Sequence, residues 1–254
     1  MLMRGGEDVG FGKQQCIDWY LVTLMNGMEI SSTYLYTTCS SSGGGGGGRS
    51  NSGSGGANNN DIKSTITNPC LKILVNDIIS KGIEFTTEQT LNSIFGSNSK
   101  INLTFAQANY SSADTDGSTT PPSVVLNSDQ TIKSFDITLK LNEKTMPNAA
   151  KEYISATVIH ETLHAYFSYR DKELNPTGQH NEMATDIYVA WFINAIKNIY
   201  PTISDFNAKA LAWGGLEDTA GWDTFRATYP YDAGQITLAN DEFHDGELGT
   251  KCSN

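Results

Sequence analysis

Basic residues are scarce in this chain. Its 254 residues carry 17 Lys and Arg against 28 Asp and Glu, a formal net charge of −11. A surface that binds nucleic acid or an anionic membrane needs the opposite balance, so neither is expected as the main partner, while basic and neutral ligands stay open. Long apolar runs are lacking too. No window reaches the ~18 consecutive apolar residues of a spanning helix, the nearest approach being 187–193, so no membrane span is expected. The first ten residues hold glycines and acids where a secretory signal has its apolar centre. Only 18% of the residues are charged and 38% are hydrophobic, which leaves enough apolar surface for a real core and argues against wholesale disorder. Histidine is scarce as well: there are four, and three of them, His160, His164 and His180, fall within 21 residues.

Composition divides the chain into 1–39, 40–60 and 61–254. In the middle stretch nine of 21 residues are Gly and most of the rest are Ser or Asn. Nothing there buries area against the entropy of ordering, so it reads as a flexible linker with a reach of roughly 25 Å. Before it, two β-prone runs, 16–23 and 33–39, flank Asn26-Gly27, a hairpin turn signal. Paired in register, the strands bring Cys16 and Cys39 opposite one another. A Cys16–Cys39 disulfide and two reduced thiols are the alternatives. This segment resembles the Cys-flanked "DWY…YLYTTC" element followed by polyglycine in surface and secreted proteins of the Bacteroidota. The resemblance implies a secreted or cell-surface protein, with a cytoplasmic one as the alternative.

After the linker, Asn68-Pro69 caps and opens an amphipathic helix through Leu71, Leu74, Val75 and Ile78. A second short helix fits 86–95, with Thr86 and Gln89 in capping-box spacing and Gly96 as its stop. The period then changes to two in 101–105, 123–126 and 135–141, with a loop over 109–122. Helices follow at about 147–170 and 178–199, the latter ended by Pro201. Helices, then strands, then two long helices make an α+β pattern. Gly214-Gly215 reads as a helix-ending turn, and Trp213 and Trp222 as bodies for packing or for lining a cleft. Cys70 and Cys252 either pair, tying the ends of this domain, or are free thiols.

Inside the first long helix stands His160-Glu161-Thr162-Leu163-His164, an instance of His-Glu-x-x-His. Residues four apart on a helix lie one turn above each other, so both imidazoles face one side and can hold a single Zn²⁺. Glu161 stands one step round the helix, where it reaches a water on that zinc and serves as general base for attack on a carbonyl. With four His and twelve Glu in the chain, chance produces this pattern only about 0.003 times. Apolar flanks (Ile154, Val158, Ile159, Leu163, Phe167) suit a buried active-site helix.

On this motif the sequence resembles the zincin metallopeptidases. The resemblance implies a zincin-like α+β fold in which a small twisted sheet packs on the active-site helix and a second long helix lies beside it. It further implies a Zn²⁺ cofactor and a peptide or protein substrate paired with a sheet edge, for which 135–142 is the candidate strand near the cleft. A catalytic zinc takes a third protein ligand, and two candidates stand close together. His180 as third ligand resembles SprT-like and related families, where a histidine after a loop opens the next helix. Glu182 resembles the gluzincins, since Asn181-Glu182-Met183-Ala184-Thr185-Asp186 matches their Asn-Glu-x-x-Ser/Thr-Asp pattern, with Asp186 as the carboxylate that orients a ligating histidine. On one continuous helix His180 shares a face with Met183, Ala184, Ile187, Tyr188 and Trp191 while Glu182 and Asp186 lie opposite. That favours His180, although Val189 and Ile193 also fall on the far side. His244, Tyr229 and Tyr231 are candidates to stabilise the oxyanion of a transition state. The segment 208–222 resembles "ALAWGGL.DT..W" stretches in Bacteroidota proteins that also carry His-Glu-x-x-His, some attached to toxin-like carriers. The expected function is thus a zinc peptidase. The alternatives are a non-catalytic surface module with a structural metal, and a secreted toxin or effector domain that uses the same site.

Overall fold

Ile101, Leu103 and Phe105, and then Phe135, Ile137, Leu139 and Leu141, alternate with polar residues, and each of these side chains is buried. That alternation builds the sheet on which the rest of the main unit is laid. The structure is a computed structural model; it describes the backbone of Leu2–Gly5, Gln14–Met25 and Met28–Ser41 and residues 62–83, 91–96, 100–112, 115–171 and 174–252. Two compact units result, Met1–Asn58 and Asn59–Asn254.

The first unit holds β1 (Leu2–Gly5), β2 (Gln14–Met25) and β3 (Met28–Ser41), an antiparallel sheet in that order. Met25 pairs with Met28 across the two-residue Asn26-Gly27 connection, and the register sets Cys16 opposite Cys39. A bond between those cysteines concerns side chains outside the described residues, as does most of the 40–60 linker. The strand β1 carries only four residues and no alternation long enough to announce it.

In the second unit β4 (Ile62–Ser64), β5 (Ile101–Ala108), β6 (Gly117–Thr119), β7 (Ser123–Leu126) and β8 (Ile132–Asn142) form a mixed sheet in the order β4-β5-β8-β6, with β7 also on β8. The pairs β4–β5 and β5–β8 are parallel, and β6 and β7 run antiparallel to β8. Thus 135–142, the strand expected near the cleft, is an interior strand paired on both sides. The edge belongs to β6, which lies within the stretch read as a loop. Three residues followed by Pro121-Pro122, which cannot donate to a ladder, gave no periodic signal.

Eight helices accompany this sheet among the described residues: α1 (Pro69–Lys81), α2 (Leu91–Phe95), α3 (Lys151–Arg170), α4 (Pro176–Met183), α5 (Asp186–Ile199), α6 (Asp205–Trp213), α7 (Ala220–Thr228) and α8 (Pro230–His244). The chain is therefore α+β. Asn68 caps α1 by accepting from the amides of Cys70 and Leu71, as its position before Pro69 requires. The segment 84–90, with its capping-box pair, lies outside the described residues. The expected 178–199 helix is two helices. Thr185 leaves helical conformation (φ −77°, ψ 151°), its hydroxyl donates back to the Glu182 carbonyl at 2.9 Å, and α5 opens with Asp186 near its positive end.

The motif helix α3 is buried on nearly every side, packing on β6, β8, α1 and the C-terminal helices. Its start is tied to the chain end. The Lys151 amide donates to the Thr250 carbonyl, and the buried Glu152 accepts from the Thr250 amide (2.8 Å) and hydroxyl (2.9 Å). Two residues on, Cys252 is disulfide-bonded to Cys70 in α1, across 182 positions of sequence. Of the two readings of these cysteines, the pair is the one found.

Candidate metal centre

On α3 the four-residue spacing stacks His160 and His164 on one face. The third histidine comes from α4, a helix opened by Pro176 and capped by the Asn175 side chain on the Gly178 amide. The three Nε2 atoms stand 3.1 Å (His164–His180), 3.2 Å (His160–His164) and 3.3 Å (His160–His180) apart. A tetrahedral ion with metal–nitrogen bonds of about 2.0–2.1 Å holds its ligand nitrogens about 3.3 Å from each other. The three are therefore close enough to hold a metal ion, and they form the group that the described residues offer for one.

Hydrogen bonding turns the lone pairs inward. The Gln179 amide nitrogen donates to the Leu174 carbonyl (3.0 Å) and to Ser168 Oγ (3.2 Å), which leaves its Oε1 to accept from His164 Nδ1 at 2.6 Å. With the proton on Nδ1, His164 Nε2 carries a lone pair. His180 Nδ1 lies 3.8 Å from Asp218 Oδ1, so the same tautomer is favoured there. His160 Nδ1 is buried with no hydrogen-bond partner among the described residues. Burial lowers the pKa of all three: well below the usual range for His160, to about 4 for His164, and downward for His180, where Asp218 opposes the shift. Three neutral imidazoles whose lone pairs converge repel one another unless a cation lies between them. The donor set, three imidazoles with one side left open to a cleft, fits a metal of the zinc, copper, iron or nickel group.

Glu161 faces the same cleft. Burial raises its carboxyl to about 7, and the hydrogen bond from Thr119 Oγ1 to Oε2 (2.9 Å) works against that rise. The β6 edge reaches it because position 117 is glycine: a Cβ there would stand 2.9 Å from Glu161 Cγ and 3.1 Å from Thr157 Cγ2. The opposite wall is the α6–α7 connection. Gly215, at φ +77°, turns the chain so that its Cα side lies against the His160 ring, and Thr219 then caps α7 on the Trp222 amide. The resulting cleft has a volume of about 690 Å³.

Other expected residues stand elsewhere. Glu182 accepts from Arg170 Nη2 at 2.6 Å and is no member of the histidine group; the continuous-helix argument that favoured His180 fails at the 184–185 break, and His180 reaches the group because Gln179 docks α4 on His164. Asp186 is exposed at the start of α5. Tyr229 and Tyr231 are 54% and 76% exposed and line no part of the cleft. His244 contacts Asp116 (3.4 Å) and Asp245 (2.8 Å); Asp116, which also accepts from Tyr153 (2.7 Å), is a cleft residue, whereas His244 stands behind it. Sequence reasoning missed Thr119, Gln179, Gly215 and Asp218. Only Gln179, one residue before His180, stood near enough to the motif to be found from it.

No protein-family model, curated protein or solved structure matches this chain.

Proposed function

We propose that this chain is a zinc-dependent hydrolase, a metallopeptidase of the zincin type, with His160, His164 and His180 as metal ligands and Glu161 as general base. The observation that carries the reading is the convergence of three imidazole Nε2 atoms beside a buried glutamate at the mouth of one cleft. When bound, a zinc ion supplies Lewis acidity, which acidifies water toward a pKa of ~7 and polarises a carbonyl. The protein's own part is proton handling and positioning. Thr119 holds Glu161 Oε2, and Oε1 makes no hydrogen bond within the described residues, so Oε1 is the atom that takes a proton from water and returns it to the leaving nitrogen. Edge strand β6 offers main-chain groups along which an extended peptide is laid beside that carboxylate.

A structural zinc is closed by four protein ligands, and three described side chains converge here, which supports a reactive centre over a structural one. The Cys70–Cys252 disulfide supports a secreted or cell-surface location, since such bonds persist in oxidising surroundings. No helix among the described residues is long and apolar enough to cross a membrane. The test is elemental analysis of the purified protein together with proteolysis assays on the parent and Glu161→Gln. One equivalent of zinc and loss of cleavage in the variant are expected. Protein that takes up no zinc, or a variant as active as the parent, refutes the proposal.

A further inference from the structure

From the histidines the cleft continues as an arm toward the start of α3. Gly215 lies against the His160 ring, and its neighbour Gly214 lies so close to Asn240 that a Cβ there would stand 2.4 Å from Asn240 Nδ2. Asn240 and His244 are four positions apart on α8 and so lie one turn above each other. The His244 ring meets the Tyr153 ring edge-on, with centroids 5.3 Å apart. Tyr153 in turn precedes His160 by seven positions, two turns back on the same face of α3. The arm is thus walled by α3 on one side and by the end of α6 and α8 on the other. Asp116, the residue before β6, closes its far end: Oδ2 accepts from Tyr153 at 2.7 Å and Oδ1 from Thr145 at 3.2 Å, with His244 Nε2 3.4 Å from Oδ1.

The walls and the end of this arm differ in chemistry. Ala156, Leu211, Gly214 and the Tyr153 ring line it with carbon. Asn240, a lining residue only 8% exposed, donates its Nδ2 to the Ala210 carbonyl, which leaves Oδ1 as an acceptor without a partner among the described residues. The Asp116 side chain is 17% exposed, and its three partners leave about one of the roughly four acceptor places of a carboxylate. Its charge is not cancelled from behind. His244 is itself paired with Asp245 at 2.8 Å, and Glu217 and Asp241 add two more carboxylates that act on Tyr153 through space. An apolar passage with an acceptor on its side and a carboxylate at its end suits an aliphatic stem that carries a cation. The length fits as well. Tyr153 and His160 are about 10 Å apart along the helix. An extended lysine holds its ammonium about 6 Å from Cα, the reacting carbon lies about 1.5–2.5 Å further back, and the bond to a carboxylate adds about 2.8 Å. The sum, about 10–11 Å, spans from the reacting carbon to Asp116.

Granting the peptidase centre proposed above, we infer that this arm is a specificity pocket for the side chain of a lysine or arginine beside the scissile bond, and that Asp116 selects the cation. The test gives the zinc-loaded full chain a mixed-sequence peptide library, with products read by mass spectrometry and Glu161→Gln as control. Cuts beside Lys or Arg are expected. A series is then built on the best-cleaved peptide, with the selected residue as lysine, norleucine, 2,4-diaminobutyric acid or glutamate. Lysine is expected to exceed norleucine by about 10- to 100-fold in kcat/KM. Diaminobutyric acid, whose ammonium stops two methylenes short, is expected to fall with norleucine. In Asp116→Asn the lysine-to-norleucine ratio is expected to drop to about threefold or less; a ratio taken within one preparation does not depend on its folded fraction. Fluorescence anisotropy of the same peptides, labelled, on zinc-loaded Glu161→Gln reads the preference without cleavage. Glu161-dependent cleavage that treats lysine and norleucine alike overturns the pocket and leaves the peptidase reading standing. A lysine preference kept in full by Asp116→Asn overturns the role of Asp116. Lysine-selective binding with no cleavage by the parent supports the pocket and overturns the peptidase reading, and the absence of both overturns both.

Discussion

Thr119 Oγ1 lies 2.8 Å from the Glu161 carbonyl and 2.9 Å from its Oε2, so one hydroxyl on the edge strand holds both the helix backbone and the carboxylate proposed as general base. Replacing it by valine keeps the shape and removes the bond. Thr119→Val is expected to lower kcat by about 10- to 100-fold with a smaller change in KM, because a carboxylate free to swing is misplaced for proton transfer. Thr119→Ser is expected to recover most of the rate. Steady-state kinetics on a peptide substrate decides it, and a valine variant with unchanged kcat removes Thr119 from the site.

His180 and Glu182 separate cleanly by metal binding. His180→Ala is expected to lose zinc affinity well beyond the ~10–100-fold that loss of an orienting partner costs. Glu182→Gln removes a partly exposed pair with Arg170, worth at most about 1 kcal/mol, and is expected to keep stoichiometric metal. Competition with a chromogenic chelator measures both. The opposite ranking makes Glu182 the ligand.

The orienting groups give a graded outcome. Gln179→Leu deprives the buried His164 Nδ1 of its acceptor, and Asp218→Ala frees the His180 ring. Each is expected to weaken zinc binding by about 10–100-fold, the glutamine more, because its bond is shorter and buried while the Asp218 contact is long and exposed. The same chelator assay checks the order.

What the sequence made legible follows from range. His160, Glu161 and His164 are fixed by helical spacing, which is local, and so are the Asn68-Pro69 cap and the alternation of β5 and β8. His180 stands in the histidine group, although the argument that favoured it over Glu182 assumed one helix where Thr185-Asp186 starts another. The edge strand escaped because Gly117-Ser118-Thr119 is too short for a period to register, and its glycine, inside the stretch read as a loop, serves to admit Glu161. Gly215 and Asp218 escaped because a connection more than 30 residues downstream carries them to the histidines through tertiary packing, and no spacing rule links them to the motif.

His244 carries the pH dependence that can be separated from the metal. Burial acts to lower its pKa, but hydrogen bonds to Asp245 and Asp116 and their charges outweigh it and hold the value above the usual one. A folded pKa above the unfolded pKa means stabilisation that is complete below ~6.5 and is lost as pH rises through the higher folded value. The stability difference between parent and His244→Asn is therefore expected to be largest near pH 5 and to vanish on the alkaline side. Urea midpoints at several pH values test this, and a gap that widens with rising pH contradicts it.

The Cys70–Cys252 bond gives the largest expected effect on stability. It closes a loop of 182 positions, for which the chain-entropy relation gives about 5 kcal/mol, against the roughly 2–5 kcal/mol commonly lost when a native disulfide is removed. It also secures the segment whose Thr250 holds Glu152 at the start of α3, so loss of the bond acts on the end of the helix that carries the histidines. His160 lies eight positions beyond Glu152, and its own packing on Gly215 does not pass through that segment. Cys70→Ser and Cys252→Ser are accordingly each expected to lower stability by about 2–5 kcal/mol in denaturant titrations, the double variant by no more than either alone, while zinc stoichiometry in the folded fraction is retained. Additive losses in the double variant show that the two sulfurs act separately, and unchanged midpoints show that the bond does not form.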